Sequence, residues 1–195
     1  MTRNERLKMA SILLSYPDES FSQTLDGLSQ LCKETSDGLA LAAVDALRTL
    51  PLPALARCYV AAFDMRQSTA LYLTAHELGD SRERGEALLQ IHALLKSAAL
   101  EPREGELPDY LPLLLEFIAE KPAGMPVSDL EARMATVCLS IHERLEEGHP
   151  YRKVFGLIQG CLGNSRAGQR TAQKSPSKPA NELDLDNLPY PLVYD

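Results

Sequence analysis

LYLTAHELGDSRERGEALL, residues Leu71 to Leu89, changes character at its middle. Apolar residues recur at helical spacing as far as Leu78, which predicts a helix over Thr69–Leu78. Gly79 then supplies the residue tolerant of positive φ that a helix end wants. Asp80 is placed to cap a second helix, with Glu83 reaching back to close a capping box. Between His76 and Gly85 the chain crowds an imidazole, carboxylates, the guanidiniums of Arg82 and Arg84, and two glycines. That density suits chemistry, recognition or a well-built helix junction, and the rest of the chain has to decide among them.

The 195 residues fit one domain, long enough to bury roughly two-thirds of the unfolded surface. Leu and Ala dominate, aromatics reach only 6%, and Trp is absent, a composition that favours helices over sheets. The formal charge of -7, from 27 acids against 20 bases, argues against a general nucleic-acid or anionic-membrane binder and suits a basic partner. No signal peptide is evident, and no run approaches the ~20 apolar residues needed to span a bilayer, so the cytoplasm is the expected compartment. Cys32, Cys58, Cys138 and Cys161 are widely spaced and read as buried thiols.

Taken in order, Glu5–Ser15 forms a helix with Leu7, Met9, Ala10, Leu13 and Leu14 on one face, stopped at Tyr16-Pro17. Asp18 or Ser20 caps the next, with Phe21, Leu25, Leu28, Leu31 and Cys32 inward. Leu39 to Leu50 is apolar almost all round and is expected to be central. Ala54–Phe63 carries Leu55, Tyr59 and Phe63 on one side, with Cys58 beside them. Ser81 to Leu100 reads as the longest well-capped helix, with Leu88, Leu89, Ile91, His92, Leu95 and Ala99 inward. Leu107–Glu120, LPDYLPLLLEFIAE, is the second dense segment: Asp109 is a good N-cap, and Pro112 is tolerated in a first turn. Ser128 and Glu131 form a capping box for a helix to about Glu147, and a final helix runs from Tyr151 to Leu162.

Asn164 to Asp186 is polar, without core-forming periodicity, and reads as a flexible tail. The tail carries four bases and four acids, so the net charge sits on residues 1–163. Leu188–Tyr194, LPYPLVY, is apolar again, and its two prolines forbid a helix but permit an extended docking strip. No alternating strand pattern occurs. The expectation is a single all-α domain of eight or nine helices over 1–163, with a tail over 164–195.

Chemistry finds little support. His76-Glu77 lacks the second histidine of HExxH, because position 80 is Asp. Cys138 and His142 share a helix face, half a metal site with no second half. Cys58 with His76 or His92 could pair as thiol and base, yet nothing marks the thiol as activated. The arginines at the start of the second helix oppose its dipole, which suggests a carboxylate partner such as Asp109 or Glu116, as an internal clamp, or direct ligand contact. His76, on a mostly apolar face, reads first as a satisfied core histidine.

Two segments carry a family resemblance. HELGDSRERG preceded by Tyr72-Leu73-Thr74, and ELPDYLPLLLEF from Glu106 to Phe117, resemble the NarJ group of molybdoenzyme assembly chaperones, within the TorD/DmsD-like redox-enzyme maturation family. LLSYPDE, Leu13 to Glu19, and the Tyr59…Phe63-Asp64 segment agree, so the resemblance spans about Met9 to Gly163. Where the wider family shows an acidic-Pro-x-Asp-His motif, this chain has Glu106-Leu107-Pro108-Asp109-Tyr110, closer to the nitrate-reductase branch.

The resemblance implies a cytoplasmic, non-catalytic chaperone that binds the N-terminal segment of the apo catalytic (α) subunit of respiratory nitrate reductase. It further implies support for insertion of bis-molybdopterin guanine dinucleotide and an iron–sulfur cluster into that client, delay of membrane attachment, and contact with molybdenum cofactor biosynthesis proteins. No cofactor is expected to stay bound to the chaperone. By motif match, the peptide groove is expected at Tyr59, Phe63, Tyr72, His76, Glu77, Asp80, Arg84, Asp109, Tyr110 and Phe117. The rival readings are a related chaperone for a molybdoenzyme with a twin-arginine signal, and a small helical metalloprotein or enzyme.

Overall fold

The computed structural model describes residues 1–103 and 105–163, and these form nine α-helices. They are α1 Arg3–Leu13, α2 Phe21–Glu34, α3 Gly38–Arg48, α4 Leu52–Tyr59, α5 Leu73–Leu78, α6 Glu83–Ser97, α7 Leu111–Glu120, α8 Ser128–Arg144 and α9 Arg152–Leu162. A π-helical turn over Val60–Asp64 extends α4, and a 3-10 turn follows over Gln67–Thr69. The described residues contain no strand, only an isolated antiparallel bridge between Tyr72 and Tyr110. The all-helical architecture agrees with the sequence reading. The tail and its LPYPLVY strip lie outside the described residues.

The centre of the bundle is α1. Its residues Leu7, Ala10 and Leu13 are fully buried, and it packs on α7, α9 and α3. A capping box missed by the sequence reading starts it: Glu5 N–H donates to Thr2 Oγ1 at 3.2 Å, and Thr2 N–H donates to Glu5 Oε2 at 2.7 Å. Polar side chains of α1 then reach the ends of its neighbours. Arg3 Nε donates to the Cys161 carbonyl at 3.0 Å, and Asn4 Nδ2 donates to the Ala119 carbonyl at 2.9 Å, each satisfying a carbonyl at a helix C-terminus. The expected central helix, α3, is instead peripheral on one side. Ala40, Ala43, Val44 and Leu47 face in, while Leu39 is 45% exposed.

Several expected caps are corrected. Ser128 and Glu131 make no capping box, since Val127 is the N-cap of α8 and its side chain has no hydroxyl. Glu131 instead receives Arg3 Nη2 at 2.7 Å. Arg82, not Asp80, occupies the N-cap of α6 and makes no side-chain cap bond. Tyr110, not Asp109, occupies that position in α7. The inward face of α6 is also narrower than expected: Ile91 and Leu95 are buried, whereas Leu89 is 70% exposed and His92 is exposed. In α2, Leu31 likewise points outward.

The helix expected over Thr69–Leu78 begins only at Leu73, because Tyr72 is extended and the backbone of Leu71 and Leu73 pairs with the start of α7. Leu73 N–H donates to the Asp109 carbonyl at 3.0 Å, and Leu111 N–H donates to the Leu71 carbonyl at 2.8 Å. The two motif segments are thus paired through their backbones. Gly79 closes α5 at φ 56, ψ −135, a conformation for which glycine is the natural residue. Ser81 N–H donates to the Leu78 carbonyl at 3.2 Å, completing the turn toward α6.

A tyrosine cleft between the N-terminal turn and the motif segments

Two neighbouring hollows meet at Tyr16. The first, about 190 Å³, is lined by Tyr16, Tyr59, Phe63, Asp64, Leu71, Tyr72, Glu106 and Tyr110. The second, about 330 Å³, is lined by Tyr16, Ala56, Arg57, Val60, Ala61 and Met65. The π-turn separates them. One extra residue in that turn places Phe63 inward and Asp64 outward, and such turns occur often at functional sites.

The walls are ordered by ring contacts and hydroxyls. Tyr16 stands edge-on to Tyr59 with centroids 5.6 Å apart, and Tyr59 meets Phe63 at 5.1 Å. Behind them Tyr151 and Phe155 continue the aromatic packing into the core. Tyr59 Oη donates to the Leu14 carbonyl at 3.1 Å, so its 3.0 Å contact with Tyr110 Oη has Tyr110 as donor. Tyr72 Oη donates to Glu106 Oε1 at 2.8 Å. Burial, with Glu106 close by, pushes the Tyr72 phenol well above its ordinary value. Burial does the same to Tyr59, so both are donors throughout the physiological range.

The cleft's charge is acidic. Among the described residues neither Asp64 nor Glu106 makes an ion pair. Partial desolvation raises the Asp64 carboxyl above its usual range, which marks it as a carboxylate without a compensating cation.

Of the motif residues, Tyr59, Phe63, Tyr72 and Tyr110 meet in this cleft. Asp109 is fully buried behind it, accepting Thr74 N–H at 3.0 Å and Thr74 Oγ1 at 2.5 Å on Oδ2. It is the side-chain cap of α5 rather than of α7, and among the described residues its Oδ1 has no hydrogen-bond partner. The expected arginine clamp on Asp109 is indirect. Arg84 Nε donates to Thr74 Oγ1 at 3.2 Å, and Thr74 passes the hydrogen bond on.

The remaining motif residues sit elsewhere. Glu77 takes a two-pronged bond from Arg133 of α8 at 2.9 and 2.8 Å. Asp80 is exposed and lies 3.6 Å from Arg84. His76 Nε2 donates to the Ala70 carbonyl at 2.7 Å, the satisfied histidine that its apolar face suggested. Phe117 is corrected: at 0% exposure it belongs to the core and cannot line a groove. The sequence list also omitted Tyr16, Asp64, Leu71 and Glu106. Tyr16, Asp64 and Glu106 fall inside the segments quoted for the resemblance, so the signal was present but was not carried to the residue.

The thiol pairing also differs from expectation. Cys58 lies 3.4 Å from His149 Nε2, not against His76 or His92. Burial raises the Cys58 thiol and lowers His149, so both stay neutral and the pair is not an activated nucleophile. Among the described residues no three His, Cys, Asp or Glu side chains are grouped to hold a metal ion. No single helix there is long and apolar enough to cross a membrane.

Comparison with known proteins shows the family to which the chain belongs. Residues 19–146 match the family model described as nitrate reductase delta subunit. The chain is 30% identical over 176 residues to the nitrate reductase molybdenum cofactor assembly chaperone NarJ of Escherichia coli K12, covering 86% of this chain and 74% of that one. It is 32% identical over 159 residues to the Bacillus subtilis protein designated "Probable nitrate reductase molybdenum cofactor assembly chaperone NarJ", covering 79% and 86%. A crystal structure of a protein assigned to redox enzyme maturation, from Archaeoglobus fulgidus, superposes with a TM-score of 0.62 at 22% identity, covering 84% of this chain and 94% of that one. The last similarity shows the fold.

Proposed function

We propose, from the premise that this chain belongs to the nitrate reductase delta subunit family and its NarJ group, that it is a dedicated maturation chaperone of nitrate reductase and not an enzyme. Its client is the apo catalytic (α) subunit, and the tyrosine cleft receives that subunit's N-terminal segment. In doing so the chaperone supports insertion of bis-molybdopterin guanine dinucleotide and an iron–sulfur cluster, and delays attachment to the membrane. The cofactor is cargo of the client, so no residue here is assigned to hold it. The compartment is the cytoplasm, where apo subunit and cofactor biosynthesis proteins meet.

One observation carries the assignment of the cleft: tyrosine rings line one open hollow together with two carboxylates that have no ion-pair partner among the described residues. Apolar side chains of an amphipathic segment fit the rings, as in helix-in-groove recognition. A basic residue of the same segment would satisfy Asp64 or Glu106, fixing orientation and speeding encounter more than adding affinity.

The test is calorimetric titration of the full chain with a synthetic peptide of the client N-terminus. Tyr72→Ala and Asp64→Asn should each weaken binding, on the order of ten-fold for the tyrosine, which corresponds to about 1.4 kcal/mol. Unchanged affinity in both would remove the cleft as the site. A twin-arginine signal peptide of another molybdoenzyme serves as comparison, and tighter binding by that peptide would reassign the client.

A further inference from the structure

We propose that the client segment runs past the tyrosine cleft, over Tyr16 and into the adjoining hollow that holds Met65, and that Arg57 there takes an acidic residue of the segment. The proposal rests on the cleft being the client site. It adds the charge pattern that the chaperone reads: a base at Asp64 or Glu106 and, beyond an apolar stretch, an acid at Arg57.

The Met65 hollow is an apolar trough that nothing among the described residues covers. Ala56 of α4 and Val60 and Ala61 of the π-turn line it, with Tyr16 and Met65 beside them. Met65 is 81% exposed, more than any other large hydrophobic side chain described, and Tyr16 is 53% exposed. A single exposed apolar residue says little about function. A methionine, however, has a flexible thioether that moulds itself to apolar partners, and it is over-used at binding surfaces.

Continuity supplies the occupant. Tyr16 lines both hollows, so a segment seated on Tyr59 and Tyr72 meets the trough as its next surface. Its apolar residues thereby pass from aromatic rings to Val60 and Met65 without returning to water.

Charge sets the order of residues along that segment. Arg3, Arg6, Arg48, Arg84 and Arg133 each reach a carboxylate of this chain. Arg57 is exposed on the trough and makes no ion pair among the described residues. Asp64 is the next acid along the chain, seven residues on. Charges pair on a helix at three- or four-residue spacing, so these two do not neutralise each other. The π-turn between them turns Asp64 toward the cleft while Arg57 stays on the trough. Seven residues of helix rise ~10 Å, which puts a cation and a carboxylate about two turns apart at opposite ends of one apolar surface. A helical client segment matches this with its own acid and base about two turns apart on its apolar side. A segment with bases at both ends sets a like charge against Arg57, which is a means of rejecting it.

The experiment titrates the full chain with a synthetic peptide of the client N-terminus, using wild type, Met65→Ser, Arg57→Gln, Arg57→Glu and, for the cleft, Tyr72→Ala. Arg57 and Met65 are exposed, so melting temperatures should match wild type and report that the variants are folded. Partial cover of the thioether predicts roughly five- to ten-fold weaker binding by Met65→Ser. Loss of a solvent-screened ion pair predicts roughly two- to five-fold for Arg57→Gln, shrinking at high salt. Arg57→Glu should bind more weakly still, and changing one acid of the peptide to lysine should restore affinity for that variant while weakening binding to wild type. Full affinity in both Met65→Ser and Arg57→Gln, with weak binding by Tyr72→Ala, overturns the extension and leaves the cleft reading standing. Losses at Met65 and Arg57 with none at Tyr72 confine the segment to the trough and overturn a seat that crosses Tyr16. If no acid-to-lysine peptide regains affinity for Arg57→Glu, the charge pattern is overturned. A wild-type dimer abolished by Met65→Ser assigns the trough to a second copy and overturns client occupancy. A peptide that binds none of the proteins overturns the client reading, and this proposal with it.

Discussion

Asp109 accepts both the backbone N–H and the hydroxyl of Thr74, 35 residues earlier in the chain, from a position with no solvent access. The first turn of α5 is thereby closed by a side chain at the entrance of α7, and the backbone pairing of Leu71–Leu73 with Asp109–Leu111 fixes the register. One carboxylate sets the angle between the segments bearing Tyr72 and Tyr110.

Removing that carboxylate should therefore cost stability and geometry together. Asp109→Ala leaves a buried N–H and hydroxyl unpaired, which destabilises by about 1–3 kcal/mol. Thr74→Val should cost less, because the backbone N–H keeps its acceptor. A double-mutant cycle in urea should return a coupling of about 1 kcal/mol between the two positions. Additivity within a few tenths would show that the contact does not hold the segments together.

The pairing explains which parts of the site could be read from the residues alone. Helices were legible because Leu114, Phe117 and Ile118, or Met134, Cys138 and Ile141, recur at three- and four-residue steps, a local pattern that packing preserves. Caps were not. Asp80, Asp109 and the Ser128/Glu131 pair all have the right spacing, but an acid accepts whichever donor the fold presents, and for Asp109 and Glu131 these are Thr74 and Arg3. The division of the motif was equally hidden. Leu113 and Phe117 lie four apart on one helix with like hydropathy, and only the position of α1 decides that Phe117 is sealed.

Phe117 and Tyr72 should accordingly separate in experiment. Phe117→Ala empties a fully buried site, and a loss of about 3–5 kcal/mol is expected in thermal or urea unfolding. The fraction that remains folded should bind client peptide with unchanged affinity. Tyr72→Ala should show the reverse, with a small stability change and weak binding. Peptide affinity lost in folded Phe117→Ala would return Phe117 to the groove.

Stability should also fall on mild acidification. Burial lowers His149 against the opposing pull of Glu146, and burial with Arg152 lowers His142. The folded state thus binds these protons later than the unfolded chain, whose histidines titrate near 6.5. Their stabilising contribution is complete above about pH 6.5 and is lost as pH drops through that value toward the lower folded ones. Melting temperature should decline between pH 7.5 and 5.5, and His149→Gln should flatten the decline. An unchanged slope in that variant would exclude His149 as the source.

Asp64 makes a prediction of opposite kind, read in binding rather than in folding. Desolvation raises its carboxyl, so the free chaperone takes up a proton there at a higher pH than an ordinary carboxylate near 3.9. A basic client residue needs the ionised form and would stabilise it, pulling the value back down on binding. Peptide affinity should therefore weaken as pH falls through the raised value of the free protein, with one proton released per peptide bound in that range. Asp64→Asn should bind more weakly at pH 7 and lose most of this dependence. Titrations in two buffers of different ionisation enthalpy measure the proton count directly. A wild-type protein and Asp64→Asn variant with the same proton release would show that the cation rests on another acid of the cleft, with Glu106, held by Tyr72 at 2.8 Å, the one to substitute next.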